Sequence, residues 1–124
     1  MSYTIGTQTI ELHQQHRLLF TKTEVIKLTP TEYRLVVCLL DERIAYDELL
    51  ASRALSNRAE LSKATRETLE KHINNLRSKL RSHHLNIYRV HNLGYILADE
   101  QSQQHHQTRP QLRVVKQQNR ILAS

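Results

Sequence analysis

TLEKHINNLRSKL, the stretch from Thr68 to Leu80, decides how this chain is read. Leu69, Ile73, Leu76 and Leu80 stand at intervals of four, seven and eleven residues, which is one stripe of an amphipathic helix expected over about 65–82. At about 100° per residue the opposite face carries Glu67, Lys71, Asn74, Asn75 and Ser78, with Arg77 and Arg81 on one flank and Lys79 on the other. Asn can bond adenine bidentately, Lys can donate to guanine O6 and N7, and flanking cations can neutralise phosphates. A bland alternative exists, because a polar helix face is more often simply solvated. Two features favour the groove-reading alternative. Five cations crowd this helix, and after His83-His84-Leu85-Asn86 two strands follow, Ile87 to His91 and Tyr95 to Ala98, joined by His91-Asn92-Leu93-Gly94. A helix followed by a basic hairpin can address two grooves of a duplex.

Working back toward the N-terminus, Thr29-Pro30-Thr31-Glu32 combines a Thr N-cap, Pro at the first helical position and Glu three residues after the cap. A helix is expected there, with Tyr33, Val36, Val37 and Leu40 facing a core until Asp41-Glu42-Arg43 ends it. A short second helix is expected after Ile44, through Asp47-Glu48-Leu49-Leu50 to about Leu55, its acidic first turn suited to the helix dipole, and 56–64 read as a loop. Before Thr29, Tyr3 to Ile5, Thr9 to Leu12, Arg17 to Phe20 and Val25 to Leu28 alternate with short polar turns, as in an antiparallel meander. The fold class is therefore α+β: an N-terminal antiparallel β-sheet, three helices and a C-terminal β-hairpin.

Composition narrows the function. A chain of 124 residues fits one domain, and no apolar run approaches the ~20 residues of a membrane span. The start lacks a basic and then apolar leader, so a cytoplasmic location is expected and no membrane partner is. The net charge of +6 is unevenly spread: 1–61 sum to −1, 62–91 to +5 and 101–124 to +4. Two glycines leave no Gly-rich phosphate cradle, the single Cys38 in an apolar stretch excludes an intramolecular disulfide, and no catalytic residues or cofactor are expected. The eight histidines include the pairs His83-His84 and His105-His106, but adjacent residues seldom ligate one ion together, so no metal is expected. Residues 1–100 form the expected domain. Residues 101–124, with seven Gln and no aromatic residue, are expected to be a disordered basic tail, although Leu112, Val114, Val115, Ile121 and Leu122 could dock on a partner.

LTPTEYRLVVCLL (Leu28 to Leu40), DELL (Asp47 to Leu50), TLEKHINNLRSKL and YRVHNLGYIL (Tyr88 to Leu97) together resemble the OmpR/PhoB-type winged-helix DNA-binding domain, the effector domain of bacterial response regulators. The resemblance implies a winged helix-turn-helix that binds double-stranded DNA, with the third helix in the major groove and the hairpin as a wing at the minor groove. It implies base reading by Thr68, Lys71, Asn74 and Asn75, and phosphate binding by His72 and Arg77. Lys79 and Arg81, the helix's flanking cations, and Arg89 and His91 of the wing complete the expected phosphate and wing contacts. The loop before the third helix is implied to touch RNA polymerase. A homodimer on DNA is expected, on a direct repeat or palindrome. The wing departs from the family pattern: His91 stands where Arg is frequent, Asn92 where Gly is usual, and Ile96 where a second Arg is common. Arg89 is therefore expected to supply the wing's main contact. A receiver domain does not fit within 124 residues, so a stand-alone transcription regulator is expected. The competing reading is a winged-helix protein-interaction module that contacts another regulator or polymerase; RNA binding has only Tyr88 and Tyr95 to stack bases.

Overall fold

The computed structural model describes residues 1–55, 62–100 and 114–116. Strands β1 (Ser2–Ile5), β2 (Gln8–His13), β3 (Leu18–Phe20) and β4 (Val25–Lys27) form the expected meander. Alternate side chains Tyr3, Ile5, Ile10, Leu12, Leu19 and Ile26 are buried, so one face of the sheet packs on the core. Helix α1 (Pro30–Asp41) starts on a complete capping box: the Glu32 amide donates to Thr29 Oγ1 at 3.1 Å and the Thr29 amide to Glu32 Oε1 at 3.0 Å. Its apolar side is wider than a single stripe, since Leu35, Cys38 and Leu39 are buried beside Tyr33, Val36 and Leu40. The reason is position, because α1 lies among α2, α3 and both sheets and has little face left for water.

A two-residue strand β5 (Ala45–Tyr46) precedes α2 (Asp47–Ala54), and α3 (Lys63–Leu80) begins under Ser62, whose Oγ accepts from the Thr65 amide at 3.1 Å. All four residues of the α3 stripe are buried. After a 3-10 turn (Arg81–His83), β6 (Leu85–Val90) and β7 (Gly94–Asp99) form the hairpin, and β5 adds to it in the order β5-β7-β6. Gly94 permits that addition, since a Cβ there would lie 2.0 Å from the Ala45 carbonyl oxygen. Ala45–Tyr46 thus form a strand where the second helix is expected to begin after Ile44; two residues carry no period, and only pairing with β7 marks them as extended.

The expectation of disorder over 101–124 is corrected at one place. Residues Val114–Lys116 form strand β8, antiparallel to β1 with Thr4 opposite Val115, so the first sheet runs β4-β3-β2-β1-β8. Strand β1 would otherwise be an edge with an unpaired row of backbone groups, and two β-branched valines suit such a partner strand. The rest of the tail, including Leu112, Ile121 and Leu122, lies outside the described residues, as does 56–61 of the expected loop. The two sheets are joined by buried Asp99 at the end of β7, which accepts from the Thr7 amide (2.8 Å) and Thr7 hydroxyl (2.6 Å), and from Gln8 Nε2 (3.0 Å).

Candidate nucleic-acid interface

With its stripe of Leu69, Ile73, Leu76 and Leu80 buried, α3 turns the opposite side outward. Lys71, Asn74 and Asn75 are exposed near its middle and Thr68 is exposed one turn earlier. Thr68 and half-buried His72 open onto a cleft shared with Thr31, Arg34 and the end of α2. On the other flank Arg66, Glu70 and Arg77 face the hairpin across a second cleft, whose far wall is Asp47, Arg89 and Tyr95. The outward ridge of α3 is thus bordered by α1 and α2 on one side and by the wing on the other.

The long cations meet different fates. Arg81 is exposed on the 3-10 turn. Arg77 donates Nε to the Ile87 carbonyl oxygen at 2.9 Å and a terminal nitrogen to Asn74 Oδ1 at 2.5 Å, so it pins α3 to β6 and orients Asn74. Lys79, expected at phosphate, turns inward: its Nζ donates to Glu32 Oε1 at 2.6 Å and to the Lys27 carbonyl oxygen at 3.0 Å. Glu32 has a side chain only 4% exposed, so the pair lies at the buried start of α1.

Arg89 corrects the expected wing geometry. β6 ends at Val90, so His91 lies in the turn with Asn92 and not at the end of the strand beside Arg89. From β6 the Arg89 guanidinium reaches across β7 to Asp47, with bonds of 2.7 and 3.1 Å to the two carboxylate oxygens, and lies 4.9 Å from the centre of the Tyr95 ring. The bond to Asp47 pushes its already high pKa further up. Asp47 itself is buried; in the sequence it stands out as an acidic residue in the first turn of a helix and as the start of the DELL stretch. Nothing local marks it as the partner of a wing residue 42 positions later. His91 and Asn92 are exposed, with Asn92 Nδ2 3.0 Å from His91 Nε2. Asn92 has φ +60°, a left-handed conformation that Asn tolerates nearly as a Gly would, so this departure keeps the turn. Ile96 is buried and offers no charge to a groove.

Residues 22–97 match the family described as "Transcriptional regulatory protein, C terminal". The chain belongs to this family. It is a DNA-binding transcription regulator with the OmpR/PhoB-type fold. The family is one of transcription-regulator DNA-binding domains and not of enzymes. Similar solved structures include the DNA-binding domain of the response regulator AdeR in complex with an intercistronic region, at 22% identity and TM-score 0.59, covering 73% of this chain and 93% of that one. The DNA-binding domain of Bacillus subtilis CssR is similar at 15% identity and TM-score 0.57, covering 71% and 98%. The C-terminal domain of the nisin resistance regulator NsrR, a lantibiotic response regulator, is similar at 24% identity and TM-score 0.56, covering 71% and 89%. These likenesses establish the winged-helix fold. No curated protein sequence matches the regulator. Among its described residues no helix is long and apolar enough to cross a membrane.

Proposed function

We propose that the regulator binds double-stranded DNA sequence-specifically in the cytoplasm, with α3 in the major groove and the β6–β7 wing over the adjacent minor groove. The observation that carries this reading is the outward ridge of α3, where Lys71, Asn74 and Asn75 are exposed beside the wing. An α-helix fits the major groove, and these side chains offer the donors and acceptors that distinguish base pairs there. Thr68, Lys71, Asn74 and Asn75 read bases. Arg81 and His72 contact phosphate, His91 lies at the minor groove, and Arg77 acts mainly by holding the helix to the wing. The AdeR domain's complex with an intercistronic region supports a duplex as the partner. Two copies bind as a homodimer on a direct repeat or palindrome, and RNA polymerase is the further partner; the loop assigned to it includes 56–61, outside the described residues.

Selection of bound duplexes from a random pool supplies the preferred site, and titrations of variants test the roles. Lys71→Ala and Asn75→Ala each cost ~1–3 kcal/mol on that site and relax preference at one position, whereas Arg81→Ala weakens every sequence alike. Unchanged discrimination in both α3 variants overturns the assignment. A protein-interaction module is the second reading. It is favoured by Tyr46 and Leu93, neighbours at the wing turn that are 50% and 46% exposed. Binding to a protein partner lacks the steep salt dependence of duplex binding.

A further inference from the structure

Asp47 joins three elements. Its amide, at the start of α2, donates to the Leu93 carbonyl oxygen of the wing turn at 3.0 Å. Its carboxylate accepts two bonds from Arg89 of the wing and one from Arg66 Nη1 of α3 at 3.4 Å. The carboxylate is only 5% exposed, whereas the Arg66 and Arg89 side chains are 52% and 40% exposed, so both cations reach the solvent edge of the cleft between α3 and the wing. Moving either guanidinium to a DNA phosphate would strip a partner from a buried carboxylate, and breaking such a pair is costly because the remaining charge is left uncompensated.

We propose that Asp47 is a positioning residue that withholds Arg66 and Arg89 from the DNA backbone and fixes the wing against α3, thereby limiting affinity for random sequence. The inference rests on the DNA-binding reading above. Phosphate contacts carry no sequence information, so cations held back in this way lower random and specific binding by one common factor, and random binding, which has no base contacts to add, is left weak. The carboxylate therefore limits how tightly the regulator holds any duplex through its backbone, random sequence included.

The test uses the full chain with the selected site and a random duplex, each titrated across salt. Asp47→Asn keeps the shape and an acceptor oxygen but removes the charge. It is expected to strengthen random-duplex and selected-site binding alike, and to steepen the slope of log affinity against log salt by about one to two for both, since each released cation adds ~0.9. Arg89→Gln in that background should return about one unit of slope. Arg89→Gln alone leaves Asp47 with Arg66 and should leave the random-duplex slope unchanged, an arm that does not depend on the Asp47 variant folding. A lower melting temperature in Asp47→Asn with no steeper slope identifies a purely structural residue and overturns the inference, as does a slope about 0.9 shallower in Arg89→Gln alone. A parent protein that shows no salt-dependent duplex binding sinks the DNA-binding reading, and this inference with it.

Discussion

Replacing Lys79 by Ala separates two roles that the same side chain could have on α3. From the helical wheel alone it is a flanking cation suited to phosphate. In the fold its ammonium is 2.6 Å from Glu32 and 3.0 Å from the Lys27 carbonyl oxygen, closing the junction between β4, the first turn of α1 and the last turn of α3. Removing one member of a fully buried ion pair costs ~3–5 kcal/mol. Here the Lys79 side chain is 35% exposed, so water reaches it, and Glu32 keeps the bond from the Thr29 amide. We expect about 1–3 kcal/mol of lost stability, allowing for that residual solvation and capping. For a domain near 100 residues this lowers the melting temperature by roughly 5–20 °C. Urea unfolding followed by circular dichroism measures the loss, and anisotropy titrations of a labelled duplex at several salt concentrations measure binding at a temperature where the variant is folded. A phosphate ligand predicts the opposite pattern, with stability unchanged and a salt slope shallower by ~0.9. That result would refute the inward geometry. A Glu32→Gln and Lys79→Ala double-mutant cycle adds a second check, since partners in one buried pair have non-additive effects.

Three further outcomes are expected. Glu100 accepts from the Tyr88 hydroxyl at 2.5 Å and Asn86 Nδ2 at 2.9 Å, bonds that hold its pKa below the ordinary 4.5. A lowered folded pKa gives stability that is present above the unfolded value and lost as pH falls through the folded one, so Glu100→Gln should cost about 1 kcal/mol at neutral pH and progressively less below pH 4.5 in pH-dependent urea melts. Truncation after Glu100 removes β8, so it should lower the melting temperature by a few degrees through the exposed β1 edge, and it should weaken specific and random duplex binding by one common factor through four lost cations; calorimetry showing an unchanged transition would mean that β8 adds nothing to stability. Gly94→Val should detach β5 from the hairpin, because even a Cβ would sit 2.0 Å from the Ala45 oxygen; faster hydrogen exchange at Tyr95 and Asp47, whose amides lie at that junction, is the readout, and unchanged protection would contradict it.

Much of the architecture could be read from local pattern. The Thr29 to Glu32 capping box gave the start of α1, the leucine spacing from Leu69 to Leu80 gave α3 and its buried stripe, and the polar break at 91–94 gave the hairpin. These are determined by the sequence alone because each depends on residues within a turn or two of one another, where backbone hydrogen bonding and period fix the outcome. The exposed ridge of Lys71, Asn74 and Asn75 follows from the same period, since what lies opposite a buried stripe must face outward. Tertiary structure decided the rest. It chose where the long cations go: Lys79 to Glu32, Arg77 to the Ile87 oxygen, Arg89 to Asp47. It also added β5 to the wing and β8 to the edge of the first sheet. A guanidinium or ammonium on a flexible stem can swing to any acceptor within reach, and a strand of two or three residues exists only through its partner, so both outcomes depend on groups that folding brings together from distant parts of the chain.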